Sequence, residues 1–259
     1  MIPNNIHFIF FGFTDFTMTH YLAVKSAKAV HNPDHLYIHY TKEPVNNPLW
    51  DDIKNIVELR YIEPPTHFHG IELKYFQYKA DISRLEILIR EGGIYLDIDV
   101  LSVRPVTELL KHSCVLGVDY AEDPDTVDLN KVGSIANAII MAEPNHPFIV
   151  NWLWRTKDWL VDKPWAYHAV VLPLEMLKET QYDLHIEPRK SFEPFDWRTD
   201  YIFRDDMEKY QWLKDNAYTM HFWETIWNEP YLKHISDEYL NTVTNNFTRF
   251  FGQYRYGKQ

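Results

Sequence analysis

Two aspartates recur at alternate positions near the end of a short apolar run, Glu91-Gly92-Gly93-Ile94-Tyr95-Leu96-Asp97-Ile98-Asp99-Val100. In a strand, successive side chains point to opposite faces and residues two apart share one. Ile94, Leu96, Ile98 and Val100 then face a core, while Asp97 and Asp99 project together, about 6–7 Å apart along the chain. Two carboxylates so placed offer oxygen ligands to a hard divalent cation, and a cation there can hold a diphosphate. The bare triplet is weak evidence, because Asp123-Pro124-Asp125 repeats it. That copy lies in an acidic run from Tyr120 to Asp128 and is expected to be a solvated loop, since proline cannot donate to a central ladder.

The elements around the first copy are those needed to position it. A helix from about Glu72 to Arg90 precedes it, with Leu85, Leu88 and Ile89 directed inward and Asp81 and Arg84 three apart on one face. Gly92-Gly93 ends that helix, because glycine tolerates the left-handed cap. Upstream, Ile6 to Phe11 is expected to be a buried strand, Thr19 to Val30 a helix and His35 to Tyr40 a second strand. A short helix at Leu49–Asn55 and a strand at Val57–Ile62 follow, before Pro64-Pro65 breaks the chain. Downstream, strands are expected at Cys114–Asp119 and Ala136–Ala142, and helices at Phe148–Leu160, Ala169–Lys178, Asp205–Lys214 and Ser236–Phe250. This alternation implies an α/β fold on a largely parallel sheet.

Composition narrows the function. With 259 residues, 46% hydrophobic and 24% charged, the chain can bury a sizeable core and has the make-up of a soluble protein. No run approaches the ~18 consecutive apolar residues of a membrane span. The N-terminus lacks the segments of a signal peptide, so a cytoplasmic location is expected. The single cysteine, Cys114, leaves no internal disulfide, suits a reducing compartment and is expected in the core. The sequon Asn246-Phe247-Thr248 is then incidental. A net charge of −11 argues against a nucleic-acid partner, yet a phosphate-bearing small ligand can be held locally by a metal and one or two basic groups. Aromatic residues make up 16% of the chain, and their flat faces suit nucleobases and sugar rings.

Four segments, in order, carry a resemblance to a family. They are Ile2-Pro3 with Ile6 to Gly12; Ala80-Asp81-Ile82-Ser83-Arg84 with Gly92 to Asp99; Asn137-Ala138 ahead of Pro144-Asn145-His146-Pro147; and His221-Phe222-Trp223 with Trp227. The second is the specific one. The chain resembles the DxD-containing sugar transferases related to glycosyltransferase family 32, such as yeast-type α-mannosyltransferases and bacterial capsule enzymes, and more distantly the glucosyltransferase domains of clostridial toxins. The resemblance implies a GT-A fold, a Rossmann-like sheet binding a nucleotide-sugar at the carboxyl ends of its strands. It implies one domain over 1–259, with a nucleotide-sugar-binding half to residue 145 and an acceptor-side, closing portion from 146.

It also implies roles. Asp99 binds Mn²⁺ or Mg²⁺, with Asp97 on the ribose or the metal's water shell; Asp81 meets donor-sugar hydroxyls and Arg84 the sugar or phosphate. Phe10 takes the place of an aromatic, commonly Trp, that stacks on the nucleobase; burial in the core is the alternative. Asn137 lies near sugar or acceptor, or is a structural amide. His221 joins the metal ligands, or is a core histidine, and the Trp227 indole donates to a phosphate oxygen. Thr225 stands where the family usually has Ser, and Glu224 and Thr225 are secondary candidates. His31, His35 and His39 fall at i,i+4 spacing, but the last two belong to a strand, which spoils a helical ligand face. His67 and His69 are expected in a solvated loop, with acceptor contact as the alternative; Pro164 to Ala169 stands where the family often builds an acceptor wall; and the tail from Arg249 to Lys258 is expected to be a surface helix end, with contact to a lipid-linked acceptor or membrane surface as the alternative.

The activity so implied is metal-dependent transfer of a sugar from a nucleoside-diphosphate donor (UDP- or GDP-linked) to a hydroxyl of a glycan or glycolipid, with retention and without a dedicated base. A retaining glycoside hydrolase needs carboxylates about 5–5.5 Å apart on opposite sides of the glycosidic bond, which acids side by side do not provide. A carbohydrate- or Ca²⁺-binding module would leave Asp81, Arg84 and the His221–Trp227 segment without a common purpose.

Overall fold

The computed structural model describes residues 1–12, 15–161 and 164–257. The first half alternates as its periodicity requires. Strand β1 (Asn5–Phe10) leads to helix α1 (Met18–His31), β2 (His35–Tyr40), α2 (Pro48–Ile53) and β3 (Glu58–Tyr61). A small hairpin, β4 (His67–Phe68) and β5 (Ile71–Glu72), precedes α3 (Phe76–Glu91) and β6 (Gly93–Leu96). Then come β7 (Val100–Ser102), β8 (Cys114–Ala121), β9 (Val132–Ala142), α4 (Pro147–Thr156), α5 (Tyr167–Glu179), β10 (His185–Glu187) and β11 (Thr219–His221). The main sheet has seven strands in the order β10-β8-β9-β6-β1-β2-β3. Only β9 runs against the other strands of that sheet.

Both faces of the sheet are covered, and the strands alternate accordingly. Ile6, Phe8, Phe10, Ile94, Leu96, Ile139 and Met141 join one buried cluster with α1 and the C-terminal segments. Ile9, Phe11, Tyr95, Ile140 and Ala142 join the other, under α3, α4 and α5. In α3 the stripe Asp81, Arg84, Leu85 and Leu88 has the i, i+3, i+4, i+7 spacing of a buried face. Its lower end is apolar and its upper end charged. Gly92 closes the helix at φ 65, where a Cβ would lie 2.8 Å from the Ala142 carbonyl oxygen.

Some expectations are corrected. The strand does not continue to Val100: β6 stops at Leu96, and Asp97 to Asp99 form a turn in which Val100 N–H donates to Asp97 O (2.9 Å). Val100 opens a separate two-stranded ladder, antiparallel to β11. The expected helix Ser236–Phe250 is two, Asp237–Thr242 and Asn246–Phe251, each with its own N-cap side chain, Ser236 and Asn245. In the tail, Arg249 pairs with Asp205, and Lys258 lies outside the described residues. Asp123-Pro124-Asp125 is a loop with both aspartates exposed. Among the described residues no helix is long and apolar enough to cross a membrane.

His7, His31 and His39 are buried, and burial lowers their pKa from 6.5 to about 4, 4 and 3. The unfolded chain therefore binds more protons below pH ~6.5, and the stability these neutral rings contribute is present above that value and lost as pH falls towards 4. Replacing His39 by leucine is expected to flatten the pH dependence of unfolding by up to about 1.4 kcal/mol per pH unit, measured by urea unfolding of both proteins across that window.

Candidate active site

At the carboxyl edge of β1 and β6 the chain encloses an open cleft of ≈ 950 Å³, partly continuous with solvent. One wall comes from the upper turns of α3 and the DxD turn, the opposite wall from residues 221–225 after β11, and the rim from Trp165 and Ala166 ahead of α5. Two of these lining residues, Trp223 and Ala166, hold left-handed backbone at φ 40 and φ 62. That conformation is uncommon for side chains with a Cβ, and most of the other non-glycine residues that adopt it here are asparagines.

Arg84 organises the wall. Its guanidinium lies 3.0 Å from Asp81 Oδ1 and 3.2 Å from Asp97 Oδ1, donates to the Asn137 carbonyl (2.5 Å), and sits 4.5 Å over the Tyr95 ring. Burial alone would lower its pKa, but Asp97, Tyr95, Asp81 and Asp99 together raise it, so the charge is permanent. Both oxygens of Asp81 are held: Asn137 Nδ2 donates to Oδ1 at 3.1 Å, and His168 Nε2 lies 2.9 Å from Oδ2. The surface ion pair that Asp81 and Arg84 could have made in isolation is a buried one, with side chains 11% and 6% exposed.

Asp97 and Asp99 differ. Burial raises the Asp97 pKa; Arg84 opposes this, while Asp99 beside it pushes it further up, and the Tyr95 hydroxyl donates to its Oδ1. Burial acts on Asp99 too, but His221 and the Glu224 backbone N–H, 2.7 Å from Oδ2, bring its pKa below the ordinary carboxylate value. The β7–β11 ladder sets His221 opposite Val100, so its Nε2 reaches within 3.5 Å of Asp99 Oδ1. Ligand atoms of Asp97, Asp99 and His221 all lie within 4.8 Å of one another. Two oxygens and an imidazole nitrogen at that spacing suit a divalent cation, which would also relieve the repulsion from Asp99 that adds to the effect of burial on Asp97. The donor set fits the ion.

Six of the residues expected at the site therefore meet in the cleft: Asp81, Arg84, Asp97, Asp99, Asn137 and His221, with Glu224 and Thr225 beside them. Two do not. Phe10 is 1% exposed and packs on Phe16, His20 and Trp50, because strand alternation turns it to the face opposite Ile9 and Phe11, which line the cleft. Trp227 is 3% exposed, stacks on Phe195 and spends its indole N–H on the Trp197 carbonyl (2.8 Å). Trp223 takes the cleft position instead. His168, which shares Asp81, and Glu193, 3.2 Å from His221 Nδ1, had no local signal beyond residue type.

The family model described as "Glycosyltransferase sugar-binding region containing DXD motif" matches residues 19–116. Glucan organizing enzyme 1 of Cryptococcus neoformans var. grubii serotype A is 30% identical over 260 residues, which cover 96% of this chain and 69% of that protein. The initiation-specific alpha-1,6-mannosyltransferase of Schizosaccharomyces pombe is 31% identical over 99 residues, 35% of this chain and 24% of that one. The apo-form glycosyltransferase GlyE of Streptococcus pneumoniae TIGR4 superposes with a TM-score of 0.50 at 13% identity, covering 97% of this chain and 60% of that chain, a likeness of fold. The seven-stranded, mostly parallel sheet is thus a GT-A fold, and the chain belongs to the glycosyltransferases whose sugar-binding region contains the DXD motif.

Proposed function

We propose that the protein transfers a sugar from a nucleoside-diphosphate donor, UDP- or GDP-linked, to a hydroxyl of a glycan or glycolipid, with retention of configuration. The observation that carries this reading is the convergence of Asp97, Asp99 and His221 beside the Arg84 guanidinium in one cleft. Asp97, Asp99 and His221 would hold Mn²⁺ or Mg²⁺, which when bound supplies Lewis-acid neutralisation of the departing diphosphate. Arg84, permanently charged and fixed by its two carboxylates, orients the donor. Asp81, held rigidly by Arg84, Asn137 and His168, presents a fixed acceptor to donor-sugar hydroxyls. The acceptor proton passes to the leaving phosphate, so no side chain is assigned as base.

The acceptor side is supported by rings. Trp165 is 54% exposed at the rim, with Tyr75 and Tyr78 each 5.0 Å from it, and Tyr78 in turn lies 4.6 Å from His168. Such faces suit pyranose rings, which favours a glycan as the group receiving the sugar. In this reading the half before residue 145 supplies most of the donor site and the half after it the closing elements, with His221 crossing to the metal and Tyr75 and Tyr78 to the acceptor rim. The lone, buried Cys114 is compatible with a cytoplasmic setting, at a membrane if the acceptor is lipid-linked.

Incubation with a panel of UDP- and GDP-sugars, with and without Mn²⁺, should give metal-dependent nucleoside-diphosphate release with at least one donor; binding of free glycan or Ca²⁺ with no donor turnover would sink the reading. Asp99→Ala is expected to lower that release more than about a hundredfold while the circular dichroism stays native. Trp165→Ala should raise KM for an oligosaccharide acceptor about tenfold and leave donor hydrolysis unchanged. Arg84→Ala leaves Asp81 and Asp97 buried without their cation, and should cost about 3 kcal/mol or more in chemical denaturation as well as donor binding.

A further inference from the structure

Glu193 is a buried carboxylate with no assigned purpose. It follows the short helix Arg189–Phe192, and its residue is 2% exposed. A buried carboxyl group is desolvated at a cost that only a partner charge and hydrogen bonds offset. Its other oxygen, Oε1, lies 3.2 Å from His221 Nδ1, while the far ring nitrogen faces Asp99. The backbone fixes this approach: Tyr218 N–H donates to Ser191 O at 2.7 Å and Thr219 Oγ1 to Phe192 O at 3.0 Å, tying the Glu193 segment alongside β11. Behind Glu193 stands Asp119, a β8 residue to which Ser134 donates (2.5 Å). Burial first, and Glu193 second through its charge and a side-chain hydrogen bond, push the Asp119 carboxyl up to about 8.

The imidazole therefore lies between two carboxylates that compete for its protons. With an acceptor only on the Asp99 side, a neutral ring would keep its proton on Nε2 and turn a donor, not a lone pair, towards Asp97 and Asp99. We propose that Glu193 is a positioning residue of the metal site: by accepting the Nδ1 proton it holds His221 in the tautomer and orientation that present the Nε2 lone pair to a cation on Asp97 and Asp99. Carboxylate–histidine pairs behind a metal act in this way, and their loss typically weakens metal binding 10–100-fold, by the general rule for such partners. The inference rests on the assignment of Asp97, Asp99 and His221 as metal ligands.

Mn²⁺ alone is the probe. Free ion is followed by EPR in the wild type, Glu193→Ala, Glu193→Gln and His221→Ala, and bound ion is examined for the nitrogen electron-spin-echo modulation of a coordinated imidazole. The wild type should show that modulation and His221→Ala should not. Glu193→Ala is expected to bind Mn²⁺ about 10–100-fold more weakly and to lose it. Glu193→Gln can still accept from Nδ1–H through its amide oxygen and should keep it. Should the alanine variant fail to fold, Glu193→Met fills the volume without an acceptor and takes its place. Wild-type affinity with intact modulation in the alanine or methionine variant would overturn the role given to Glu193. A wild type that binds no Mn²⁺, or binds it without imidazole modulation, would instead overturn the assignment of His221 as a ligand.

Discussion

Three aspartates share one wall of the cleft, and the buried guanidinium of Arg84 is the constraint that allows it. Without that charge, Asp81 and Asp97 would be desolvated anions facing one another, and the cheaper outcome would be protonation or a rearranged wall. Arg84 meets both carboxylates, donates to the Asn137 backbone and lies over the Tyr95 ring, so four different elements are tied at one point. Its planar fork makes this possible where a single ammonium could not. Asn137 and His168 then complete Asp81, and the Tyr95 hydroxyl completes Asp97.

The second constraint is where the strand stops. Because β6 ends at Leu96, the DxD pair sits in a turn at the carboxyl edge of the sheet, where open α/β sheets bind ligands. The turn also redirects the chain into β7, whose ladder with β11 recruits His221 from more than a hundred residues away. A continuous strand would have kept Asp97 and Asp99 in one sheet and left His221 with no route to them. The strained backbone at Trp223 fits this picture: the segment after β11 must reverse sharply to bring Glu224 N–H onto Asp99.

Local pattern and distant contact separate cleanly along this chain. Helix α3 and its charged stripe were legible because Asp81, Arg84, Leu85 and Leu88 repeat at helical spacing and Gly92-Gly93 marks the stop. Phe10 was ambiguous for a matching reason: every residue from Ile6 to Phe11 is apolar or histidine, and a strand covered on both faces carries no alternation to say which side chain meets the cleft. The DxD turn was hidden in the same way, since Ile94 to Val100 alternates as a strand would and only the pairing with β9 and β11 breaks it. Trp227 looked like a phosphate donor by its place in a motif, but an aromatic cluster buries it.

The sequence by itself carried the family resemblance in its motifs, and it determined the α/β alternation and the common placement of Asp81 with Arg84 and of Asp97 with Asp99, because those depend on spacings of a few residues within one helix or strand. Only the tertiary structure decided which partners complete them. His168 on Asp81, Glu193 behind His221, and Trp223 in place of Trp227 follow from how β11, α5 and the Glu193 segment pack against the sheet. No local periodicity encodes such contacts, since they join residues whose separation along the chain far exceeds any repeat of helix or strand.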